Sequence, residues 1–427
     1  MNPKRSIGID ALAFAGPEHY VDMRELARAR GVDPAKYIEG LGQRKMAIVS
    51  PCEDTVTMAV NAASRALTRF DVDPGEIGTL VVGTETGIDH SKPVAVYVHE
   101  LLGLAENCRT FETKHACYGA MAGLTASADW IASGRARGRK ALVIASDIAR
   151  YGLDTPGEPT QGAGAVAIVV SANLRLLSLD LSRFGDYTRQ VMDFWRPLYS
   201  KYAFADGHYS IECYLDAFSA AWRDAANGDP EAIALERLAA CLYHVPFVKM
   251  ARKAHRRHVE VANDIVFEKG NAEHVRLMDE SYGEKVSPWL DLNAEVGNIY
   301  TGSLFLSLID LLRHGDNGLE GREVSLFSYG SGCGATFCVG RIAAQAARYA
   351  PLLDPQAELD ARRKLSIEAY EALMRHSEVA DEVAFLDPED FGLTGGLYYT
   401  GTTEHMRQYR LADRRDLFRP SPAPVAP

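Results

Sequence analysis

Residues 54–83 read DTVTMAVNAASRALTRFDVDPGEIGTLVVG, and the change of period inside this stretch decides the fold class. From Asp54 to Phe70 the apolar positions recur at helical spacing. After the turn at Asp73-Pro74-Gly75, the run from Ile77 to Gly83 carries no charge, the pattern of a short strand covered on both faces. Helix, turn and buried strand in succession are α/β grammar. Outward from there the grammar continues with a helix over 94–102, a strand over 109–113, a helix over 118–133 and a strand over 140–146. A Gly-rich turn at 159–164 leads to a strand over 165–171. The second half reads as helices over 209–226, 230–240 and 247–258, an apolar helix over 304–312, and a strand over 323–328 that runs on into another.

Within this order there is an echo. His115-Ala-Cys-Tyr-Gly119 leads into helix, Gly-containing turn and strand, and Val296-Gly-Asn-Ile-Tyr-Thr-Gly-Ser303 does the same. A duplicated half would put Cys117 and Asn298 in corresponding positions, although helix-turn-strand recurs in any α/β protein.

The chain has 427 residues, with 57 Asp plus Glu against 46 Lys plus Arg, a formal charge of -11. That balance argues against general nucleic-acid binding, so an anionic ligand needs a local basic site. No apolar run reaches the length of a membrane span, and the residues after Met1 lack the apolar core of a secretory signal, so the expected location is the cytoplasm. None of the seven cysteines forms a C-x-x-C pair, so neither a disulfide framework nor a zinc ribbon is expected. The Pro/Ala-rich stretch 413–427 reads as a mobile tail.

Three residues stand where chemistry is done. Cys117 lies between a short strand and a helix, where the helix end favours thiolate over thiol and the small residues Gly119 and Ala120 leave backbone N–H groups to hold an oxyanion. A buried, space-filling thiol fits the same position. Glu85 follows directly on an apolar strand, the place where open α/β sheets carry working groups. Partial burial there would raise its pKa and suit it to act as base and acid in turn, and a loop-pinning Glu is the plainer alternative. His244 sits in an apolar setting, Tyr243-His-Val-Pro-Phe247, ahead of a basic run with Lys249, Arg252, Lys253, His255, Arg256, Arg257 and His258. A satisfied core histidine is its plain reading, and a solvated face that of the run, but the contrast with the acidic whole suggests a phosphorylated ligand or acidic partner. The His255/His258 pair stands among arginines that repel a cation, so no metal is expected. Asn298 could polarise a carbonyl or simply form a turn. Ser328-Tyr-Gly-Ser-Gly332 ends a strand without the G-x-S-x-G elbow of a hydrolase, and no nucleotide-binding loop is present.

Taken together the segments Ala116-Cys-Tyr-Gly-Ala120, Gly157-Glu-Pro-Thr-Gln-Gly162, Asp193-Phe-Trp-Arg-Pro197, His244-Val-Pro-Phe-Val-Lys-Met250, Val296-Gly-Asn-Ile-Tyr-Thr-Gly-Ser303 and Phe327-Ser-Tyr-Gly-Ser-Gly332 resemble the hydroxymethylglutaryl-CoA synthase family, bacterial type, of the thiolase superfamily. The resemblance implies a thiolase-like α/β fold of two fused duplicated halves in a five-layer α-β-α-β-α arrangement, normally a homodimer. The first half would span 1–172 with Glu85 and Cys117, the second 173–412 with His244 and Asn298. It further implies that acetyl-CoA and acetoacetyl-CoA are substrates, that no cofactor or metal takes part, and that Cys117 carries the acetyl group. Glu85 would be the base and His244, assisted by Asn298, the group that binds the ketone. Thr160, Asp193 and Ser331 match substrate-binding positions of the family; Lys249, Arg252 and Lys253 match its CoA-phosphate stretch. The related synthases that act on an acyl carrier protein in polyketide β-branching share the triad and are the alternative. One departure is Met121, where the family usually has Thr; it would either repack the helix or narrow the acyl pocket.

Overall fold

Asp54 accepts the N–H of Thr57 while Thr57 returns a bond to the Asp54 N–H, a closed capping box that starts the helix expected from the sequence. In this computed structural model residues 6–200, 202–314, 318–379 and 385–411 are described; the tail at 413–427 lies outside them. The first helix, α1, is Thr55–Arg69. Four more matter to the site: α2 (Gly119–Ala132), α3 (Gly207–Ala226), α4 (Met250–Ala262) and α5 (Ser303–Arg313).

Nine strands form one sheet: β1 (Ile7–Ala15), β2 (Ile77–Gly83), β3 (Arg109–Thr113), β4 (Lys140–Ala149), β5 (Gly162–Ser171), β6 (Leu177–Thr188), β7 (Leu238–Tyr243), β8 (Glu323–Gly330) and β9 (Gly334–Ile342). Their spatial order is β7-β8-β9-β6-β1-β5-β4-β2-β3. In the first half β3, β2 and β4 are parallel and β5 returns antiparallel between β4 and β1. The second half repeats the scheme: β7 and β8 are parallel, and β9 returns antiparallel between β8 and β6.

At the seam, β1 meets β6 through the pairs Ile7–Leu179, Gly8–Ser178 and Ile9–Leu177. Gly8 is required there, because a Cβ would stand 2.0 Å from the Leu177 carbonyl oxygen. Arg175, in the link between the halves, grips buried Asp10 of β1 with two bonds of 2.6 and 2.8 Å and also reaches the Phe70 carbonyl at the end of α1.

Side-chain alternation sets the layers. On β4, Ser146 bonds the start of α1, whereas Val143 points to the other face and meets Gly123 of α2. On β7 and β8, Leu242, Val324 and Leu326 join the apolar cluster that contains α5, and Tyr243 and Phe327 join the one that contains α3 and α4. The order is thus α1, first half-sheet, α2 with α5, second half-sheet, α3 with α4: the thiolase-like five-layer arrangement.

One element differs from expectation. Residues 230–240 contain two short 3-10 turns and the start of β7 rather than a helix. The stretch is rich in Ala, Leu and Glu, good helix formers, but parallel pairing of β7 with β8 inside the core overrides that local preference.

Candidate active site

The tip of β2 and the start of α2 are brought together by two glycines. A Cβ on Gly83 would lie 2.3 Å from the Ala120 nitrogen, and one on Gly119 2.8 Å from the Thr113 carbonyl. This close approach places Glu85, two residues past β2, against Cys117, two residues before α2. The Cys117 thiol donates to Glu85 Oε1 at 3.7 Å. Ala116, just before it, holds φ +41, a left-handed conformation that turns the chain sharply at the sulfur.

Asp147, at the end of β4, organises the loop carrying Glu85. Its Oδ1 accepts from the Thr84 hydroxyl (2.9 Å), the N–H groups of Glu85 (2.9 Å) and Thr86 (3.1 Å), and the Thr86 hydroxyl (2.8 Å). Burial raises both carboxyls, and each is further affected by its neighbours: Asp147 pushes Glu85 upward and Arg196 opposes it. The same surroundings reverse one expectation. Burial, then the carboxylates of Glu85 and Asp147, hold the Cys117 thiol well above its ordinary pKa, so the resting group is the thiol and not a helix-stabilised thiolate.

Cys117 opens into a cavity of about 530 Å³ that is also lined by Thr160, His244, Asn298 and Ser331. First-half and second-half residues therefore meet in one space. His244 follows β7; its N–H donates to the Phe327 carbonyl at 2.8 Å, and its own carbonyl accepts from Tyr214 at 2.8 Å. Burial pushes its imidazole down to about 3, so it is a neutral ring. Nδ1 is buried without a partner among the described residues, which leaves Nε2 as the ring nitrogen for the cavity.

The Asn298 side-chain oxygen accepts from Tyr300 N–H (2.9 Å) and the Ser303 hydroxyl (3.1 Å), and the amide NH₂ is its group left for a ligand. Gly162 at the start of β5 bridges Gly297 and permits this approach, since a Cβ there would meet the Asn298 backbone at 2.6–2.7 Å. Asn298 precedes α5 as Cys117 precedes α2, and each helix leads to the strand next to the antiparallel return.

Other expected residues take different places. Asp193 does not line the cavity. Its carboxylate accepts from Tyr329 (2.7 Å), the Gly332 N–H (2.9 Å) and Ser210 (3.2 Å), so it fixes the loop of Ser331 from behind. The Thr160 hydroxyl closes its own turn on the Gly157 carbonyl at 2.8 Å while the residue borders the cavity. That turn is anchored by buried Glu158, which holds Arg30 through two bonds of 2.8 Å and accepts from Tyr370 at 3.0 Å. The Ala120 N–H, expected to be free, donates to the Thr301 hydroxyl at 2.7 Å. Met121 is fully buried in the main core and does not border the cavity, so the longer side chain repacks the helix.

Helix α4 divides the basic run by its period. Lys249, Arg252 and Lys253 are exposed at its start, beside the cavity-lining Phe247 and Met250, and Arg252 is engaged by Asp279. His255 and His258 turn inward instead, each with Nδ1 2.9 Å from the Tyr243 hydroxyl. With Cys241 their ligand atoms gather within 4.8 Å, but the phenol already occupies the space between the rings, and the Lys285 and Arg252 charges bear on them.

Sequence reading missed Asp147, Arg196 and the aromatic walls Tyr151, Phe194, Tyr214, Tyr300 and Tyr329. Asp147 had a signal, a lone carboxylate ending an apolar strand like that of Glu85. Phe194, Arg196, Tyr300 and Tyr329 lie inside segments that carried the family resemblance, whereas Tyr151 and Tyr214 carried no signal.

Comparison with known proteins finds one family along nearly the whole chain. The family model described as hydroxymethylglutaryl-coenzyme A synthase N terminal matches residues 3–174, and the C-terminal model of the same enzyme matches 177–274 and 259–411. Hydroxymethylglutaryl-CoA synthase of Enterococcus faecalis is 38% identical over 90% of this chain and 95% of its own. Among solved structures, MvaS in complex with 3-hydroxy-3-methylglutaryl coenzyme A superposes with a TM-score of 0.89 at 46% identity, covering 96% of this chain and 99% of that one. The curacin-pathway HMG synthase in complex with holo donor-ACP gives 0.87 at 33% identity, covering 95% and 100%.

Proposed function

The chain belongs to the hydroxymethylglutaryl-CoA synthase family, and from that membership we propose that it condenses acetyl-CoA with acetoacetyl-CoA and water to give 3-hydroxy-3-methylglutaryl-CoA and CoA. The observation that carries the reading is the Cys117 thiol, 3.7 Å from the Glu85 carboxylate, opening into a cavity shared with His244 and Asn298.

In this reading Cys117 attacks the acetyl thioester and its proton ends on the departing CoA sulfur. The N–H groups of Cys117 and Ser331 hold the thioester oxygen. Glu85 then removes a proton from the acetyl methyl group, and the resulting enolate carbon bonds to the ketone carbon of acetoacetyl-CoA. His244, neutral and presenting Nε2, polarises that ketone together with the Asn298 amide. The carboxyl of Glu85 returns its proton to the tertiary alkoxide, and water cleaves the Cys117 thioester to free the product acid. A carboxyl raised by burial suits both halves of this proton cycle near neutral pH. Nucleophile, base and polarising groups are all side chains, so the reaction calls for no cofactor beyond the CoA thioesters.

Lys249 and Lys253, with Arg252, receive the CoA phosphates at the cavity mouth. We divide the chain at 172/173, each half supplying half of the site. The uncovered edge strand β3 is the surface through which a homodimer would form. No helix of the described residues is long and apolar enough to cross a membrane, in line with a cytoplasmic enzyme of isoprenoid precursor synthesis.

Intact-protein mass spectrometry tests the assignment. Acetylation at Cys117 by acetyl-CoA, followed by product formation on adding acetoacetyl-CoA, is the expected result. Labelling only from an acetyl-loaded carrier protein would move the enzyme to the carrier-protein branch seen in the curacin relative.

A further inference from the structure

A two-stranded hairpin, Phe194–Trp195 paired with Phe204–Ala205, overhangs the cavity. Its root is fixed by Asp193, and by the Asp206 N–H, which donates to the Asp193 carbonyl at 3.0 Å. Phe194 meets the cavity aromatics Tyr151 and Tyr300 edge-on at 6.5 and 6.2 Å. The next residue but one, Arg196, extends its guanidinium to the backbone carbonyl of Glu85. The peptide groups flanking the base are thus held from both sides: its N–H by Asp147 at 2.9 Å and its C=O by Arg196.

The charges around Glu85 make the second contact more than a brace. Asp147 stands on one side, Cys117 in front, and Tyr151 and Tyr300 form the nearby wall. Among the described residues Arg196 is the cation that bears on Glu85, and it also bears on its like-charged neighbour Arg150. Burial and the Asp147 carboxylate raise the Glu85 carboxyl even with Arg196 in place, so loss of that cation would raise it further and leave less of the base deprotonated.

We propose that Arg196 is a positioning residue for the condensation step, which fixes the peptide of Glu85 and by its charge keeps that carboxyl able to lose its proton, linking the seated hairpin to an active base. The inference rests on the reading of Glu85 as base.

Two variants separate geometry from charge. Arg196→Gln keeps a neutral donor near the Glu85 carbonyl and removes the cation; Arg196→Lys keeps the cation and loses the planar fork. The readout is condensation of pre-acetylated enzyme with acetoacetyl-CoA as a function of pH, with Cys117 acetylation followed in parallel by mass. Because the base works deprotonated, the acid limb of the rate profile reports Glu85, and loss of a nearby cation raises that limb. The expected result is an upward displacement of about one pH unit for Arg196→Gln. For Arg196→Lys the limb stays in place with a lower plateau, and both variants still acetylate. An unmoved limb in Arg196→Gln overturns the charge role, whereas a limb displaced equally in both variants overturns its assignment to the cation. Wild-type enzyme that acetylates but shows no acid limb in condensation would instead remove Glu85 as the base.

Discussion

Gly162 bridges Gly297 beside Asn298, and Gly162→Ala probes how finely the two halves of the site must meet. The new Cβ would lie 2.6 Å from the Asn298 carbonyl oxygen, 2.7 Å from its nitrogen and 2.8 Å from the Gly297 carbonyl carbon. Ordinary contact begins near 3.4 Å, so the 297–298 backbone must retreat by about 0.8 Å from β5. Both neighbours are backbone, and neither can swing aside as a side-chain tip could. Overpacking of this kind costs about 1–3 kcal/mol, seen as a lowered melting temperature. The catalytic effect is larger than the fold effect. Moving a group that orients substrate by nearly 1 Å slows its step on the order of 10²-fold, and Asn298 acts only once the ketone is bound. Rapid-quench kinetics with acetyl-CoA alone, then with acetoacetyl-CoA, resolve the two steps. Acetylation of Cys117 should stay within about twofold of wild type while condensation falls on the order of a hundredfold. Equal losses in both steps, or undiminished condensation, would refute the assignment of Asn298 to the ketone.

Glu85→Ala should still acquire an acetyl label on Cys117 yet release no condensed product, as checked by intact mass and product chromatography; wild-type condensation would reject its role as base. Lys249→Ala should raise KM for the CoA substrate at low salt and converge on wild type at high salt, since an exposed charge is screened; an ionic-strength series measures it. Tyr243→Phe removes the hydroxyl between His255 and His258 and should lower stability by about 2–4 kcal/mol in urea unfolding, because two buried ring nitrogens lose their partner. Burial holds His244 and His255 down to about 3, below an ordinary 6.5, and holds His258 well below 6.5 as well. Their contribution is complete above pH 6.5 and is lost as pH falls toward 3. Replacing His255 with Gln should therefore make unfolding free energy less dependent on pH across that window, measured by urea titration at each pH.

Much of the site was legible because Glu85 follows directly on an apolar strand and Cys117 stands at the junction of a short strand and a helix rich in small residues, places where a polar side chain has few structural duties. Helix α1 and strand β2 were legible because the period of their apolar positions changes from helical to extended between them. Strand β7 was not, since its approach is built from helix formers and only the partner β8, some eighty residues on in the chain, reveals its pairing. The thiol state of Cys117 was misjudged because a helix end is visible locally, whereas the opposing carboxylates arrive from β2 and β4. Asp193 shows the converse case. The motif identified an important residue, but only the fold shows that its bonds go to Tyr329, Ser210 and Gly332 rather than to the cavity. Along α4 the division between outward Lys253 and inward His255 follows from helical period alone and could have been drawn from the sequence.

The seam at β1 has a consequence for synthesis. The first strand made is the one that both half-sheets need, with β5 on one side and β6 on the other. The earlier half can close around Glu85 and Cys117 as soon as β5 has emerged, but His244, Asn298 and Ser331 follow much later. A ribosome therefore carries, for most of the second half of translation, a nucleophile and a base with no electrophile pocket facing them. Burial is the largest cause of the raised Cys117 thiol, and part of that burial comes from Asn298, Tyr300 and Ser331, so the environment that sets this thiol is complete only when the far half-sheet docks on the exposed side of β1.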